Sequence, residues 1–357
     1  MLRSLNLELW RRIVLVGLVL ALSIWLLRLT DPIGPPGKDL YQVWLGARTL
    51  LHGGDPYGPE VRAEMHRAYG WWGQHGLPYP LPALWLHLPL ALLPLTPATW
   101  LWKALCLATI LLFAVWRGAG WWQALVPLLF LPLVRAFQLY QPSLTWLALA
   151  CVTIITMERR WRAPAGLGLA LLPAKPQVGL IIAVLGLLWA WRHDRRLWWW
   201  GVGCSALIWG GSLLLFPDWW REWLVAVRAY RSAYGHLMAG ALPWALLLLL
   251  PALRLPWWGW DATAQAVLFP AHDTYVLAPL LLAWLALGGA PALIGVLCSW
   301  SGIFVLNGPA LLWGAYFVPY LILMSWAGMR RSFLDRWPGW RDRLRRRGTV
   351  LSREADA

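Results

Sequence analysis

The sequence contains little charge and very little lysine. Of its 357 residues, 13% are charged, and the 31 basic residues include only three lysines, beside 16 acidic residues. It also lacks a Walker phosphate loop, a GxGxxG turn before a helix and a GxSxG nucleophile elbow. We therefore predict no nucleotide site, and we expect no soluble domain, long linker or low-complexity stretch.

Cysteine is scarce as well. Cys106, Cys151, Cys204 and Cys298 each lie within an apolar run and have no close partner in the sequence. We interpret them as small packing residues rather than as a disulfide framework or a metal site. The histidines show no ligand spacing, so we predict no metal and no cofactor.

Apolar residues dominate the rest of the chain. They make up 60% of it, and the mean hydropathy is +0.54. This composition predicts an all-α polytopic membrane protein, because helices satisfy their own backbone hydrogen bonds in lipid. Several runs are shorter than the ~20 residues that span a bilayer, so we expect about 11–13 transmembrane or half-helices. The runs lie near 12–30, 80–95, 98–116, 121–134, 139–157, 164–174, 177–191, 197–216, 237–254, 256–269, 275–288, 291–306 and 310–327.

The formal net charge of +15 comes from arginine clusters rather than from a nucleic-acid face. The clusters are "ERRWR" (158–162), "RHDRR" (192–196) and the tail 328–357, which all flank apolar runs. Arginine at such places marks the cytoplasmic side. We predict a single membrane domain over 1–327 and a basic cytoplasmic tail over 328–357 that contacts anionic membrane lipids. Both termini are expected to be cytoplasmic, with an uncleaved first helix near 12–30.

The loop 31–79 is the longest polar stretch between apolar runs, and we expect it to be extracytoplasmic. The part from Asp39 to Leu51 predicts an amphipathic helix that lies in the membrane interface and ends at Gly53-Gly54. Its predicted apolar face consists of Leu40, Val43, Trp44, Ala47, Leu50 and Leu51. Asp55 is expected to be a turn residue after this helix. Strict alternation of sides fails by one crossing near 80–116, so one piece there is expected to be re-entrant or not to span.

Asp39 is the first candidate for chemistry. A carboxylate at the outer membrane surface can take a proton from an acceptor hydroxyl. An acid at the start of a helix also serves as a cap, and the two roles are compatible.

Lys175 is the second candidate, because it lies between two apolar half-runs with Pro173 and Pro176 on either side. An ionisable group at such a place is costly and favours a function, and a phosphate would suit the ammonium. The alternative is a lysine that snorkels to the interface.

Two further segments carry polar groups at breaks between apolar runs. "FPAHDTYVLAPLLL" contains His272, which can bind or protonate a phosphate, and Asp273, which can equally cap a helix. "FQLYQPSLTW" offers Gln138, Tyr140 and Gln141, for which a structural and a functional role are equally open.

Five segments in order resemble the motifs of glycosyltransferase family 87, bacterial membrane enzymes with the GT-C fold. Asp39 followed by "YQVWLGARTLLHGGDPYG" is similar to the first loop of that family. "LPYPLPALWLHLPLALLP" resembles its Tyr-x-Pro-Pro segment, and "FQLYQPSLTWLALA" its Gly-Gln-x-Asn helix, with Phe137 in place of the glycine. "GLGLALLPAKPQVGLIIAVLGLL" with "WRHDRR" is similar to its lysine helix and basic loop, and "LFPAHDTYVLAPLLL" to its histidine segment.

The resemblance implies an inverting hexosyltransferase, similar to GT-C α-mannosyltransferases, in the bacterial plasma membrane. Such an enzyme transfers a sugar, often mannose, from a polyprenyl-phosphate donor to a lipid or glycan acceptor on the outer face. It implies Asp39 as the general base and Lys175 and His272 as donor-phosphate ligands. The substrate-binding residues are then Lys38, Tyr41, Trp44, Tyr79, Gln138, Gln141 and Asp273.

Two other classes of protein fit parts of the pattern. A polyprenyl-lipid flippase or transporter also uses broken helices and intramembrane charge. No internal repeat of hydropathy is visible, however, and an acid-bearing first loop is not what a transporter needs. A non-catalytic membrane scaffold is the third class.

Overall fold

In a computed structural model the chain is α-helical, and no strand occurs among the residues that the structure describes. These are residues 2–29, 38–70, 76–117, 121–234, 246, 249–253, 255–269, 274–300, 318–319 and 322. The all-α fold class is thus confirmed. The tail 328–357, most of the run 310–327, His272 and Asp273 lie outside the described residues.

The helices follow one another with short connections. In chain order they are α1 (Leu2–Leu29), α2 (Lys38–Leu51), α3 (Pro59–Tyr69), α4 (Leu81–Ala91), α5 (Leu95–Arg117), α6 (Leu125–Leu129), α7 (Leu131–Gln138), α8 (Ser143–Glu158), α9 (Arg162–Leu171), α10 (Pro176–His193), α11 (Arg195–Ser205), α12 (Gly211–Leu215), α13 (Trp219–Tyr234), α14 (Leu249–Ala252), α15 (Trp257–Leu268), α16 (Leu280–Leu287) and α17 (Gly289–Cys298). Single 3₁₀ turns occur at Trp121–Ala124, Leu172–Ala174 and Thr274–Leu277, and a π-helical segment, Ala206–Gly210, joins α11 to α12. α1 starts about ten residues before the predicted apolar run, because its polar first turns contain residues that tolerate a helix.

The predicted amphipathic helix is present as α2, and its buried face is made of Leu40, Val43 and Ala47. This face packs against α4. Gly46 permits the close approach, since a Cβ there would lie 3.1 Å from a methyl carbon of Leu84 in α4. The apolar face of α2 is therefore covered by protein. Leu51, predicted on the same face, is exposed.

α4 lies in the piece between 80 and 116, where the predicted strict alternation of sides fails. It has 11 residues and is about 16 Å long, and it packs along α2, where the carbonyl of its last residue, Ala91, accepts a hydrogen bond from Arg48 at 3.2 Å. α5, with 23 residues, is the one straight helix in the described part of the chain that is long and apolar enough to span. The run α11 to α12 passes the same test together with α13, to which it is bent by 96°.

Side-chain contacts define two opposite ends of the bundle. At one end Arg117 and Glu158, which close α5 and α8, form an ion pair of 2.8 Å. Arg162 pairs with Asp194 at the same end of α9 and α10. We call this the arginine end. At the other end, which we call the site end, lie Asp39 at the start of α2, Tyr79 before α4, Gln141 between α7 and α8, and Lys175 before α10.

A continuous apolar core joins most of these helices, from Val19 in α1 to Val296 in α17. It is rich in buried tryptophan, including Trp102, Trp146 and Trp258. A smaller cluster around Met157 and Leu169 packs α8 and α9 together near the arginine end.

Candidate functional site

The candidate site is built around Asp39, a half-buried residue in the first turn of α2. The side-chain amide of Gln141 donates a hydrogen bond to Asp39 Oδ2. The start of α2 and the turn after α7 also meet through their main chains, because the N–H of Asp39 donates to the carbonyl of Leu139 at 3.4 Å. The acid is thus held by a segment about one hundred residues away in the sequence.

Gln141 is aimed by the way in which α7 ends. Tyr140 has a φ of +54°, and the N–H groups of Tyr140 and Gln141 donate to the carbonyls of Phe137 and Ala136 at 3.2 and 2.9 Å. This is a Schellman C-cap, whose left-handed position is usually glycine. A tyrosine there stores backbone strain.

A buried lysine of α5 offsets part of that strain. The ammonium of Lys103 lies 3.9 Å from the centroid of the Tyr140 ring, and Lys103 is fully buried. A cation over an aromatic ring in a desolvated place contributes about 2 kcal/mol. Lys103 therefore helps to fix the turn that presents Gln141 to Asp39.

Tyr69, the last residue of α3, lies near Asp39. Burial raises the pKa of the Tyr69 phenol, and the negative charge of Asp39 raises it further. The phenol also hydrogen-bonds to the side chain of Gln42. Its neighbour Tyr41 donates to Glu64 Oε1 at 2.8 Å and lies 6.3 Å from the Tyr69 ring. α3 thereby packs its aromatic end against the first turn of α2.

Lys175 lies in the break between the 3₁₀ turn Leu172–Ala174 and α10, as the two prolines predict. It is buried, and its ammonium donates to the hydroxyl of Tyr79 at 3.1 Å. The charge of Asp39 is close enough to act on this ammonium. The structure thus brings Asp39, Gln141, Lys175 and Tyr79 together at the site end.

Aromatic rings form the floor beneath Lys175. Tyr79 stacks on Trp146, with 6.5 Å between ring centroids, and its main-chain carbonyl accepts a 2.8 Å hydrogen bond from the hydroxyl of Tyr57. His87 lies against the other part of Trp146, at 5.6 Å between ring centroids. These stacked rings leave Tyr79 little freedom, so the Lys175 partner is fixed in place.

Gln265 of α15 fixes the helix break from below. It is fully buried. Its Oε1 accepts from the N–H of Ile181 at 2.7 Å, and its Nε2 donates to the carbonyl of Pro176 at 2.8 Å. One side chain therefore satisfies two backbone groups in the first turns of α10, immediately after Lys175.

α13 covers the site end from the side. The 96° bend before it lays the helix across the loop that precedes α4, where Trp223 Nε1 donates to the carbonyl of Pro78 at 3.2 Å. Glu222 of α13 pairs with Arg62 of α3 at 3.2 Å. α3 and α13 are thus joined beside the segment that contains Tyr79.

Other residues predicted for the site have different surroundings. Trp44 donates its indole N–H to the carbonyl of Leu93 at 3.1 Å, an anchor between α2 and the end of α4. Gln138 accepts from Arg135 within α7, at 3.5 Å. The helix that contains Asp39 begins at Lys38. The described turn Thr274–Leu277, directly after His272 and Asp273, packs against α7.

Sequence reasoning did not find Tyr69, Lys103 or Gln265. α3 was missed because its charged sequence "PEVRAEMHRAY" is not an apolar run. Its start nevertheless carries a helix pattern, with Pro59 in the first turn and Glu60 beside it. Lys103 is one of only three lysines, and its position inside an apolar run was a usable indication.

No protein-family model, curated protein or solved structure matches the chain. The chemistry of the site is therefore argued from its own groups. A carboxylate, which is a group able to accept a proton, and an ammonium, which is a group able to bind an anion, lie at one end of a helical bundle with an amide and a phenol beside them. Such a set suits transfer of a group from a phosphate to a hydroxyl.

Proposed function

We propose that the protein is an integral membrane glycosyltransferase that moves a sugar from a polyprenyl-phosphate donor to a hydroxyl of a lipid or glycan acceptor. The observation that carries the proposal is that Asp39, held by Gln141, lies near enough to the buried Lys175–Tyr79 pair for its charge to act on the Lys175 ammonium. The resemblance to glycosyltransferase family 87 implies Asp39 as the general base, Lys175 as a ligand of the donor phosphate, and Gln141 and Tyr79 as substrate-binding residues.

Outward-facing apolar side chains support a place in the membrane. α5 exposes Leu101, Leu105 and Leu112, and α12 exposes Leu214, which is 85% accessible. Exposed apolar surface on this scale is unusual for a protein in water and is typical of contact with lipid. Exposed tryptophans at the arginine end, such as Trp161 and Trp199, fit interfacial anchoring.

A consistent topology follows if α4 does not cross. α1 leads out and α5 leads back in. The pieces around α6 and α7 lead out again, α8 in, α9 out and α10 in. The arginine clusters after α8 and α10 then lie in the cytoplasm, as their charge favours. Asp39, Gln141 and Lys175 lie together on the outer side, where a lipid-linked donor presents its head group.

The reaction is a single displacement at the sugar. The acceptor oxygen attacks the anomeric carbon while Asp39 takes the hydroxyl proton. The bond from that carbon to the phosphate oxygen breaks, and its electron pair leaves with polyprenyl phosphate. The ammonium of Lys175 offsets the charge that develops on the leaving phosphate. Attack from the opposite face inverts the anomeric centre.

The left-handed turn at Tyr140 also favours a different alignment of the Gly-Gln-x-Asn motif with this sequence. Tyr140 has the conformation that favours glycine. The Gly-Gln-x-Asn pattern then falls on Tyr140, Gln141, Pro142 and Ser143 rather than on Phe137 and Gln138. In this register the motif glutamine is the one that binds Asp39, which supports a role for Gln141.

The test is transfer by the purified protein in liposomes. Polyprenyl-phosphate mannose serves as donor and a total lipid and glycan extract as acceptor, with release of polyprenyl phosphate as the readout. We expect release that depends on the extract and on Asp39. Mass spectrometry of lipids and glycans from a deletion strain identifies the missing product.

One outcome would favour the alternative class. If the donor crosses the bilayer of the liposomes in the presence of the protein, without release of polyprenyl phosphate, the protein is a flippase of the donor lipid. Fluorescent donor with a membrane-impermeant quencher measures that crossing in the same vesicles.

A further inference from the structure

We propose that a groove at the arginine end, formed by the first turn of α9, by α11 and by the π-helical segment, binds an anionic phospholipid of the cytoplasmic leaflet. The groove is open to its surroundings and has a volume of about 600 Å³. The inference rests on the membrane placement in the proposed function, and not on its chemistry. The lining residues are Arg162, Arg196, Trp199, Trp200, Gly203, Cys204 and Leu207.

The shape of the groove matches a lipid rather than a water-soluble ligand. Its wall is almost entirely apolar, and Trp199, Trp200 and Leu207 each expose half or more of their surface. Apolar walls of this kind accommodate acyl chains. The π-helical segment that carries Leu207 widens the helix locally, and such segments occur frequently at functional sites.

The charge in the groove selects an anionic head group. Arg162 is held by Asp194, with 2.9 Å between Nε and Oδ2. Arg196 makes no ion pair within the described part of the chain. The guanidinium of Arg196, with the Nη groups of Arg162 that the Asp194 pair leaves unused, can bind a phosphodiester whose acyl chains lie on the apolar wall. Basic pockets between helices on the cytoplasmic side bind anionic lipid head groups in this way.

The close packing of α9 on α11 gives the groove a rigid base. A Cβ at Gly166 would lie 2.8 Å from the main-chain carbonyl carbon of Trp200. The two helices therefore approach through their backbones, which fixes the spacing of the two helices that carry Arg162 and Arg196. Asp194 adds to this by capping α11, since its Oδ1 accepts from the N–H of Leu197 at 3.2 Å.

The experiment measures lipid retained by the whole purified protein with native mass spectrometry, after titration with phosphatidylglycerol or phosphatidylcholine. We expect phosphatidylglycerol to be retained and phosphatidylcholine not. Arg196→Gln should weaken that retention about fivefold, in line with one arginine near an anionic surface. Arg159→Gln is the matched control, because Arg159 is an exposed arginine at the same end that does not line the groove.

A second variant blocks the groove without removing charge. A Cβ at Gly203 would meet no atom within 4 Å, so we expect the ring of Gly203→Phe to fill the groove and to abolish specific retention while the protein stays folded. Gly17→Phe is its control, because Gly17 in α1 is equally open.

Three results would overturn the lipid site. They are equal weakening by Arg196→Gln and Arg159→Gln, retention unchanged by both Arg196→Gln and Gly203→Phe, and competition by glycerol phosphate as strong as by the intact lipid. Sugar transfer is assayed on the same samples. Lipid retention without sugar transfer supports the lipid site and contradicts the proposed transferase activity. Sugar transfer without lipid retention supports the transferase activity and contradicts the lipid site.

Discussion

At the scale of single residues, the base is the central question, and Asp39→Asn is the decisive change. Asparagine keeps the size of the side chain and can still accept from Gln141, but it cannot take a proton. We expect transfer to fall by about 10²- to 10⁴-fold, the usual contribution of a general base. Thermal stability should barely change, because asparagine suits the start of a helix about as well as aspartate.

Asp55→Asn is the matched control for the base. Asp55 lies in the same loop, but its Oδ1 accepts from the N–H of Tyr57 at 2.9 Å, so it holds a turn as predicted. Its variant should transfer at a near-normal rate. If Asp39→Asn transfers sugar at the wild-type rate, Asp39 is not the general base, whatever the activity of the Asp55 variant.

Lys175 should act on the donor rather than on the acceptor. A hydrogen bond to a charged group contributes roughly 1.5–3 kcal/mol. Lys175→Ala is therefore expected to raise the KM for the donor and to lower kcat, while the KM for the acceptor changes little. Lys175→Arg should retain part of the activity, because it keeps the charge.

The control for Lys175 is its partner Tyr79. Tyr79→Phe removes only the hydroxyl that accepts from Lys175 and leaves the stacked ring. We expect a loss smaller than that of Lys175→Ala, because one hydrogen bond to the ammonium is removed while its charge remains. Donor kinetics that are normal in a folded Lys175→Ala protein would leave the lysine with a structural role alone.

Gln141 and Gln138 are three residues apart, and the structure distinguishes them. Gln141→Leu should lower transfer by about tenfold or more, because the hydrogen bond to the Asp39 carboxylate is lost and the acid is left free to turn away. Gln138→Leu should have little effect, since Gln138 bonds within its own helix. The reverse order of effects, measured as kcat in liposomes, would restore the original register of the motif.

At the scale of elements, Asp194 ties three helices together at the arginine end. It ends α10, caps α11 and pairs with Arg162 of α9. Burial alone would raise the pKa of Asp194, but the main-chain N–H groups of α11 and the Arg162 guanidinium outweigh it, so the pKa lies below its ordinary value. The ionised carboxylate is therefore the stabilising form.

The sign of the pH dependence follows from that lowered pKa. The stabilisation is complete above the ordinary carboxyl pKa of about 4 and is lost as the pH falls through the native value. At pH 7, Asp194→Asn should cost about 0.5 kcal/mol from the ion pair and Asp194→Ala about 1 kcal/mol more from the cap. Thermal unfolding in detergent should show wild type and Asp194→Asn converging below about pH 4. A gap that widens in acid would contradict this account.

At the scale of the whole molecule, topology is the main prediction. Loop 31–79 should face outward and residues 328–357 should face the cytoplasm, because arginine is concentrated in the loops on one side. Ala63→Cys and Gly348→Cys, each in a protein without the four native cysteines, test this with an impermeant thiol reagent on intact cells. Ala63 is an exposed residue of α3, so a cysteine there should be labelled. Labelling of Gly348→Cys from outside intact cells would contradict the predicted cytoplasmic location of residues 328–357.

The sequence by itself determined the helical class, the amphipathic α2 and the two breaks at Tyr140 and Lys175. It could do so because these features depend on local chemistry. Hydrophobic periodicity, proline and the cost of burying a lysine can all be read within about twenty residues. The same local reasoning selected Asp39 and Lys175 as candidates, and the turn at Asp55.

Only the tertiary structure decided which of these residues meet. The contact of Asp39 with Gln141 spans 102 positions, and the contact of Lys175 with Tyr79 spans 96. No local pattern specifies such pairs, because they follow from how α2, α4 and α10 pack. Gln265 is the clearest case. It is an unremarkable glutamine in an apolar helix until packing places its amide on the backbone just after Lys175. Local sequence therefore identified several candidate residues, and long-range packing determined which of them lie together in the site.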